Sequence, residues 1–527
     1  ELPEGVILPK ANVAKPRPSA SLIVSRMNGN IGEILLCHRV SEVPSFPDFW
    51  AFPGGGVSRT DRRVSDENPK WLANTQESVT SITLLRELVE EIGFSPDGKG
   101  SLELVNEEIQ EKICQNKDEW ADFVKSGKIK IENFNSQIIA VRTMPPFAPI
   151  RFTNTFHHLS IGDSKIEPRF PKGMSEFDEY RWWKPENLLQ SWLNHEVRLP
   201  PPQVTLIRDI CESLEENGDL VSAFDKLSIN PSEGYHILEF APGVECIPLP
   251  TQTLPPATHT NCYVLGVPGG ERVIIDPAAR SEDALEILSK KIDEIRLSGS
   301  EIIATIFTHK HQDHIGNLEK IDKMYKAPIW ASKETLETIS KLENNKILQE
   351  NDSFVLKGNN SSECWNIIDT PGHCPGHICL VGDAGIVSGD NVTVIGTILV
   401  PSTDGDMNKY LEGLQRMKEL NPPLLFPGHG PFSANPEKLL NRYIKHRSKR
   451  HQLVLDAVKD FSDLQGIAKK SYEDTPQAHP RLMIDQTLSH LKGHIKSGTI
   501  YFDNGKAHAV RSLLCSSRVC STCKAGI

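Results

Sequence analysis

The chain has 527 residues, with 58 Lys+Arg against 69 Asp+Glu for a formal charge of −11, and 38% hydrophobic residues. That length predicts roughly three or four domains, and the mean acidity argues against a generic nucleic-acid coat protein. Eleven cysteines are too few for a disulfide-framework protein and point to a reducing intracellular compartment, the cytosol or mitochondrial matrix, while no apolar run approaches the ~18 residues of a membrane span.

Because the chain begins at Glu1 rather than Met, a trimmed form is expected, and the lack of a targeting peptide is no evidence of location. Residues 1–18 are Pro-rich and read as an extended lead-in. Residues 19–25 and 33–40 are apolar runs split by Asn28-Gly29-Asn30, a strand–turn–strand pattern. Residues 80–92 place Ile82, Leu85, Leu88 and Ile92 on one helical face, with Gly93 as the stop. On that helix Glu87, Glu90 and Glu91 stand at i, i+3 and i+4 and share a face. Three crowded carboxylates repel one another unless a divalent cation binds, and oxygen-only ligands favour Mg²⁺ or Mn²⁺. Arg86, beside them, is placed to orient a carboxylate. Residues 103–130 are charged and more helical.

The run Arg86-Glu87-Leu88-Val89-Glu90-Glu91-Ile92-Gly93-Phe94, preceded by Phe52-Pro53-Gly54-Gly55-Gly56, resembles the Nudix box opened by an insertion over 57–79. The resemblance covers about residues 18–220, and a Nudix domain is expected over 19–221. It implies an αβα sandwich that cleaves a nucleoside diphosphate linked to another moiety, with Arg86, Glu87, Glu90 and Glu91 as the catalytic and metal-binding set. Residues 178–183 (DEYRWW) resemble the acidic strand before that family's last helix. Residues 198–203 (RLPPPQ) are similar to the peroxisomal CoA-diphosphatase branch, which implies a CoA-type or nucleotide substrate. The Glu expected eight residues before Arg86 is Ser78 here, with Glu77 adjacent. A non-catalytic nucleotide or RNA sensor is the alternative.

Residues 222–235 are polar, with Asn230-Pro231-Ser232 and Gly234, and read as a linker. From 236 to about 435 strand and helix signals alternate, as in a layered α/β domain. Thr308-His309-Lys310-His311-Gln312-Asp313-His314 follows the apolar run 302–307. Three imidazoles and a carboxylate within six residues are costly to hold together unless a cation binds, and that donor set suits Zn²⁺ or a similar metal. On a loop, this spacing is able to divide its ligands between two adjacent metals. Matching pieces recur after later apolar runs: Thr370-Pro371-Gly372-His373, Ser388-Gly389-Asp390 and Phe426-Pro427-Gly428-His429-Gly430. Glycine beside each ligand lets the backbone turn sharply. Four such sets imply one convergent site. His377 is read either as a substrate contact at the cavity mouth or as a histidine opening the next element, and stays out of the ligand set. Cys374 and Cys379 are read as buried free thiols.

The H-x-H-x-D-H signature with these partners resembles the metallo-β-lactamase superfamily over roughly residues 235–435. The resemblance implies an αββα sandwich with two zinc ions. One takes His309, His311 and His373, the other takes Asp313, His314 and His429, and Asp390 bridges them. Asp276 resembles a group that orients a ligand imidazole from behind. Paired cations would depress the pKa of bound water and polarise the substrate, with Asp313 also able to accept a proton. The expected chemistry is hydrolysis of an ester, thioester, amide or phosphodiester, and the ligand set alone does not choose among them.

Residues 441–450 (NRYIKHRSKR) are helical and basic. Residues 438–500 hold twelve Lys/Arg against six Asp/Glu, net +6, leaving −17 for the rest. Apolar spacing at Leu482, Ile484, Leu488, Leu491 and Ile495, then residues 498–502, predicts helices and a small wing over 436–505. Arg447, Lys449 and Arg450 are the candidate contacts to an anionic substrate. The order from the PGHG motif to Tyr443-Ile444 and Arg447 resembles the β-lactamase-like protein 2 branch of the superfamily. That branch includes single-strand-specific endoribonucleases, and related fungal members hydrolyse carrier-bound polyketide thioesters. Single-stranded RNA and an acyl-thioester both remain candidate substrates. Residues 506–527, with Cys515, Cys520 and Cys523, read as a flexible tail. The fold class expected for the whole chain is α/β multidomain: a Nudix αβα sandwich, a metallo-β-lactamase αββα sandwich and a small winged-helix-like α domain.

Overall fold

A computed structural model describes residues 13–71, 78–146, 150–339, 345–359, 361–503 and 506–509. Strands Arg17–Asn28 and Ile31–Arg39 pair antiparallel, with Gly29 at positive φ in the turn between them. They lie in an eight-stranded mixed sheet ordered Ser232–Tyr235, Gln137–Thr143, Phe152–Ser160, Arg17–Asn28, Ile31–Arg39, Trp50–Ala51. Gly54–Gly56 adds to Arg17–Asn28, and Phe177–Trp183 to Ile31–Arg39.

Successive side chains of a strand face opposite sides, and both sides of this sheet are covered. Leu22 and Val24 pack with Ile82, Leu85 and Leu88 of the helix Ser78–Ile92. Ile23 packs with Leu188, Leu206 and Ile210 of the helices Pro185–Leu193 and Pro201–Asn217. Each such buried aliphatic side chain contributes about 1.5–3 kcal/mol. The helix Ser78–Ile92 is thereby pinned with its acidic residues at the sheet's Gly54–Gly56 edge.

Residues 222–235 do not form a linker. Most of them belong to the helix Leu220–Ile229 and the strand Ser232–Tyr235. Asp219 caps that helix by accepting the Ser222 N–H, and Phe224 buries its ring against His158. The strand pairs parallel with Gln137–Thr143 and completes the first sheet. The insertion over 57–79 contains a further helix, Arg59–Glu67, started by a Ser58–Asp61 capping box.

Two more sheets follow. Seven strands run from Leu238–Ala241 to Lys346–Ile347, and five from Ser353–Lys357 to Leu425–Pro427. Tyr263, Val273, Ile275 and Ile306 of the first of these interlock with Trp365, Ile367, Leu380 and Phe426 of the second. The helix Glu282–Leu297 covers one outer face through Leu285, Leu288 and Ile292. Helices Met407–Glu419 and Pro436–Asp460 cover the other through Tyr410, Leu414, Leu440 and Tyr443. The layers are αββα. Phe46 and Phe49 of the first unit join Phe240 and Phe432 in an aromatic cluster between the units.

The expected boundary at 436 also shifts. The helix Pro436–Asp460 begins in the outer layer of the αββα unit and ends in a smaller cluster. That cluster joins Val454, Ala457 and Val458 to Ile467, Leu491 and Ile500. Helices Leu464–Ser471 and Pro480–Lys496 and the hairpin Ile500–Asp503/Lys506–Ala509 complete it. Among the described residues no helix is long and apolar enough to cross a membrane. Most of the expected lead-in (residues 1–12) and of the tail (510–527), with Cys515, Cys520 and Cys523, lie outside the described residues.

Candidate metal centre and acidic cluster

Parallel pairing brings the distant motifs together. Glu271–Ile275 and Glu301–Ile306 are parallel neighbours, so Asp276 and Thr308-His309 leave the same sheet edge side by side. Gly385–Gly389 and Leu425–Pro427 are parallel neighbours in the opposing sheet, so Asp390 and His429 do likewise. His311 begins the short helix Gln312–Ile315, which turns Asp313 and His314 inward. Gly428 permits the close approach of the two strand ends: a Cβ there would lie 2.6 Å from Asp390 Oδ1.

The predicted ligands converge as two sets. His311 Nδ1 lies 3.1 Å from His309 Nε2 and 2.9 Å from His373 Nε2. His429 Nε2 lies 3.3 Å from His314 Nε2 and 3.5 Å from Asp313 Oδ2. Asp390 stands between, with Oδ2 3.7 Å from His373 Nε2 and Oδ1 3.4 Å from both His314 Nε2 and His429 Nε2. The ligating atoms of His309, His311, His373 and Asp390 lie within 4.8 Å of one another, as do those of Asp313, His314 and His429.

The ring orientations are set from behind. Asp276 Oδ2 accepts His314 Nδ1–H at 2.8 Å, Leu399 O accepts His373 Nδ1–H at 2.7 Å, and His259 O accepts His429 Nδ1–H at 2.9 Å. Thr308 donates its hydroxyl to Asp276 at 2.6 Å and lies 2.9 Å from His309 Nδ1. Such bonds place one proton on the outer nitrogen and direct the other nitrogen's lone pair into the centre. Asp276 itself sits at φ 47, a conformation an aspartate tolerates better than most residues and one that recurs at functional sites.

The electrostatics fit a cation pair. Asp390 Oδ1 is buried and meets no hydrogen-bond donor in good geometry among the described residues. Burial works to raise the Asp390 carboxyl, but His429 and His314 hold it well below the usual range. Burial works to lower His429, but Asp390 and Asp313 raise it to about 10, and Asp390 and Asp276 likewise raise His314. Burial and neighbouring imidazoles lower His309, and burial with His373 lowers His311 to about 3. Without a cation the surrounding carboxylates favour protonation of this imidazole pair, and metal binding, which needs the neutral imidazoles, displaces that proton.

His377 is not at the cavity mouth. It is fully buried, accepts the Asp390 N–H on Nε2 at 3.1 Å and lies 2.9 Å from the Thr370 hydroxyl. Cys374 and Cys379 are buried free thiols, each pushed up to about 12 by burial.

In the first unit, Glu87, Glu90 and Glu91 share a face of Ser78–Ile92, but their carboxylates do not close into one compact group. Glu90 pairs with Arg86 at 3.0 Å and Lys117 at 3.4 Å, and Glu91 accepts the Gly54 N–H at 2.8 Å. Glu87 pairs with Arg86 at 2.8 Å, under Gly55, where a Cβ would come within 2.4 Å of its Oε1. Burial raises the carboxyls of Glu87 and Glu91, a strain that a divalent cation would relieve. Arg86 is fully buried and forms a two-pronged pair with Asp61 at 2.6 and 2.8 Å. Glu77 and the Ser78 side chain, the position expected for that part, lie outside what the structure describes. Counting backward from Arg86 missed Asp61, whereas the Ser58-x-x-Asp61 cap, counted forward from the glycines, marks it.

The basic helix is corrected most. Arg447 and Arg450 are buried, 3% and 6% exposed. Arg447 donates to Ile398 O and to Gln486 Oε1, and Arg450 to Ser471 O with its guanidinium over the Tyr472 ring. Lys449 is exposed but pairs with Asp474 at 2.8 Å. A substrate cannot reach the two arginines, which face the protein interior. Arg442 and Lys445 are exposed on the same helix. Arg442 lies against the metal loop and donates to Val394 O at 2.9 Å, while neighbouring Thr393 donates its hydroxyl to His429 O at 3.1 Å.

Residues 255–429 match the family described as the Metallo-beta-lactamase superfamily. A Beta-lactamase-like protein 2 homolog of Caenorhabditis elegans is 26% identical over 250 residues, covering 46% of this chain and 80% of that protein. An Atrochrysone carboxyl ACP thioesterase of Aspergillus fumigatus is 26% identical over 207 residues, 38% of this chain and 60% of that protein. A solved NUDIX hydrolase from Alicyclobacillus acidocaldarius aligns with 42% of this chain and all of its own length, at 23% identity and a TM-score of 0.35.

Proposed function

Starting from a metallo-β-lactamase-fold hydrolase domain at residues 255–429, we propose that its centre holds two zinc ions and hydrolyses phosphodiesters of single-stranded RNA. The observation that carries the hydrolase chemistry is Asp390, whose two oxygens face the two histidine sets separately. Such a cation pair, when bound, supplies Lewis acidity and lowers the pKa of water. His309, His311 and His373 hold one position, and Asp313, His314 and His429 the other. Asp276, Leu399 O and His259 O keep the imidazoles aimed. Asp313 is the more solvent-accessible of the two carboxylates, with 23% of its side chain exposed against 10% for Asp390. It accepts the proton released from the attacking water.

Arg442, exposed and donating to Val394 O, and Lys445, exposed on the same helix, take the part first expected of Arg447, Lys449 and Arg450: they attract the RNA backbone. Cleavage of a labelled single-stranded RNA by the wild type is expected to stop on chelation. In the Arg442→Glu/Lys445→Glu double variant, binding is expected to weaken and log–log salt dependence to fall by roughly 0.7 per lost phosphate contact. An unchanged slope would remove these two residues from the RNA path. The thioesterase relative favours a second reading, hydrolysis of an acyl-thioester. If the wild type leaves RNA intact and releases free thiol from an acyl-CoA, that reading replaces the first.

At the acidic cluster, the Arg86–Glu91 pattern supports a Nudix diphosphatase using Mg²⁺ or Mn²⁺ on Glu87, Glu90 and Glu91, with CoA or a nucleoside diphosphate derivative as substrate. Glu90→Gln is expected to stop Mg²⁺-dependent CoA cleavage. Nucleotide binding without turnover in the wild type would make this unit a sensor instead.

A further inference from the structure

The loop over 391–405 leaves Asp390 and returns to the helix Met407–Glu419. One carbonyl in it, Leu399 O, takes the His373 Nδ1 proton and so turns His373 Nε2 toward His311 and Asp390. The residues on both sides of Leu399 are gripped from the C-terminal helices. Arg447 of Pro436–Asp460 donates to Ile398 O. Gln486 of Pro480–Lys496 donates to Val400 O at 2.8 Å and accepts from Arg447 Nη1 at 3.2 Å. Both side chains are buried. Among the described residues, no carboxylate is paired with the Arg447 guanidinium. Burying such a charge without a counter-charge is costly, and here the offset comes from the loop carbonyl, the Gln486 amide and the Tyr410 ring 5.7 Å from the guanidinium, while Arg447 Nε meets no hydrogen-bond partner among the described residues.

We propose that Arg447 and Gln486 are positioning residues for the metal centre: they clamp Ile398 and Val400 so that Leu399 O orients His373. The basic C-terminal helix then serves the centre through its buried stripe. This inference rests on reading the centre as a two-cation site. Arg447 suits the task because its planar fork reaches a carbonyl and an amide at once, which the single ammonium of lysine does not reproduce.

The test is a Cd²⁺ titration of the metal-free full chain, read by cadmium NMR and chelator competition. The wild type is expected to show two bound resonances, and His373→Ala identifies which one belongs to the His309–His311–His373 position. In Gln486→Ala and Arg447→Lys, each checked for folding by circular dichroism, that position alone is expected to weaken about ten- to a hundredfold. Should Gln486→Ala not fold, Arg447→Lys, which retains the charge, carries the comparison. If both positions keep wild-type affinity, or both weaken together, the clamp is wrong and the two residues only fill the interior. A wild type that binds fewer than two ions overturns the two-cation reading, and the clamp with it.

Discussion

If the metal centre is the proposed hydrolytic site, replacing Asp313 with Ala is expected to lower its kcat/KM by about 10²–10⁴-fold, the range of a lost general base. The side chain stands 3.5 Å from His429 Nε2 at the solvent-facing rim of the second ligand set. Burial alone would raise its carboxyl, but His429 and His314 hold it below the usual carboxylate range, so it stays ionised across the physiological range. Asp313 is also a ligand, and the two roles separate on metal content. Asp313→Asn with two bound ions and lost turnover assigns the loss to proton transfer, whereas one bound ion assigns it to ligation. Full activity in Asp313→Ala would sink the assignment of this centre as the hydrolytic one.

Asp61→Ala is expected to destabilise the first unit by about 3–5 kcal/mol, because it removes the two-pronged partner of a fully buried guanidinium. For a unit of this size that corresponds to roughly 2–4 °C of melting temperature per kcal/mol, readable by scanning calorimetry. The effect carries a pH signature. Burial works to raise the Asp61 carboxyl, but its bonds to Arg86 and Ser58 lower it below the ordinary value. A depressed carboxyl contributes its stability in full above the unfolded pKa of about 3.9 and loses it as pH falls through the folded value. The gap between wild type and Asp61→Ala should therefore narrow in acid. A gap that is small at neutral pH, or independent of pH, would show that Glu87 and Glu90 suffice to hold Arg86.

That His309, His311, Asp313, His314, His373, Asp390 and His429 converge was legible because their motifs stand at the ends of apolar runs, with residues that let the chain turn. The helix Ser78–Ile92 was legible for the same local reason, from its 3.6-residue spacing. Arg447 and Arg450 were misread because charge was weighed above position. Tyr443, Arg447, Arg450, Val454 and Ala457 are all buried along one helix, and their spacing of four, three, four and three marks a single stripe. That signal was present in the sequence. Residues 222–235 were misread in a similar way: their polarity concealed the Asp219 cap and Phe224, which together make a helix and lead into a strand.

By itself the sequence determined the kinds of donor available: imidazoles and carboxylates in one group of motifs, clustered carboxylates with an arginine in another. It could not determine which atom of each donor faces inward. His429 is oriented by a carbonyl 170 residues away and His373 by one 26 residues away. Backbone carbonyls carry no residue-specific mark, so only the tertiary structure decided these partners. It also decided which positive charges face water, because that depends on what packs against a helix rather than on how many charges the helix carries.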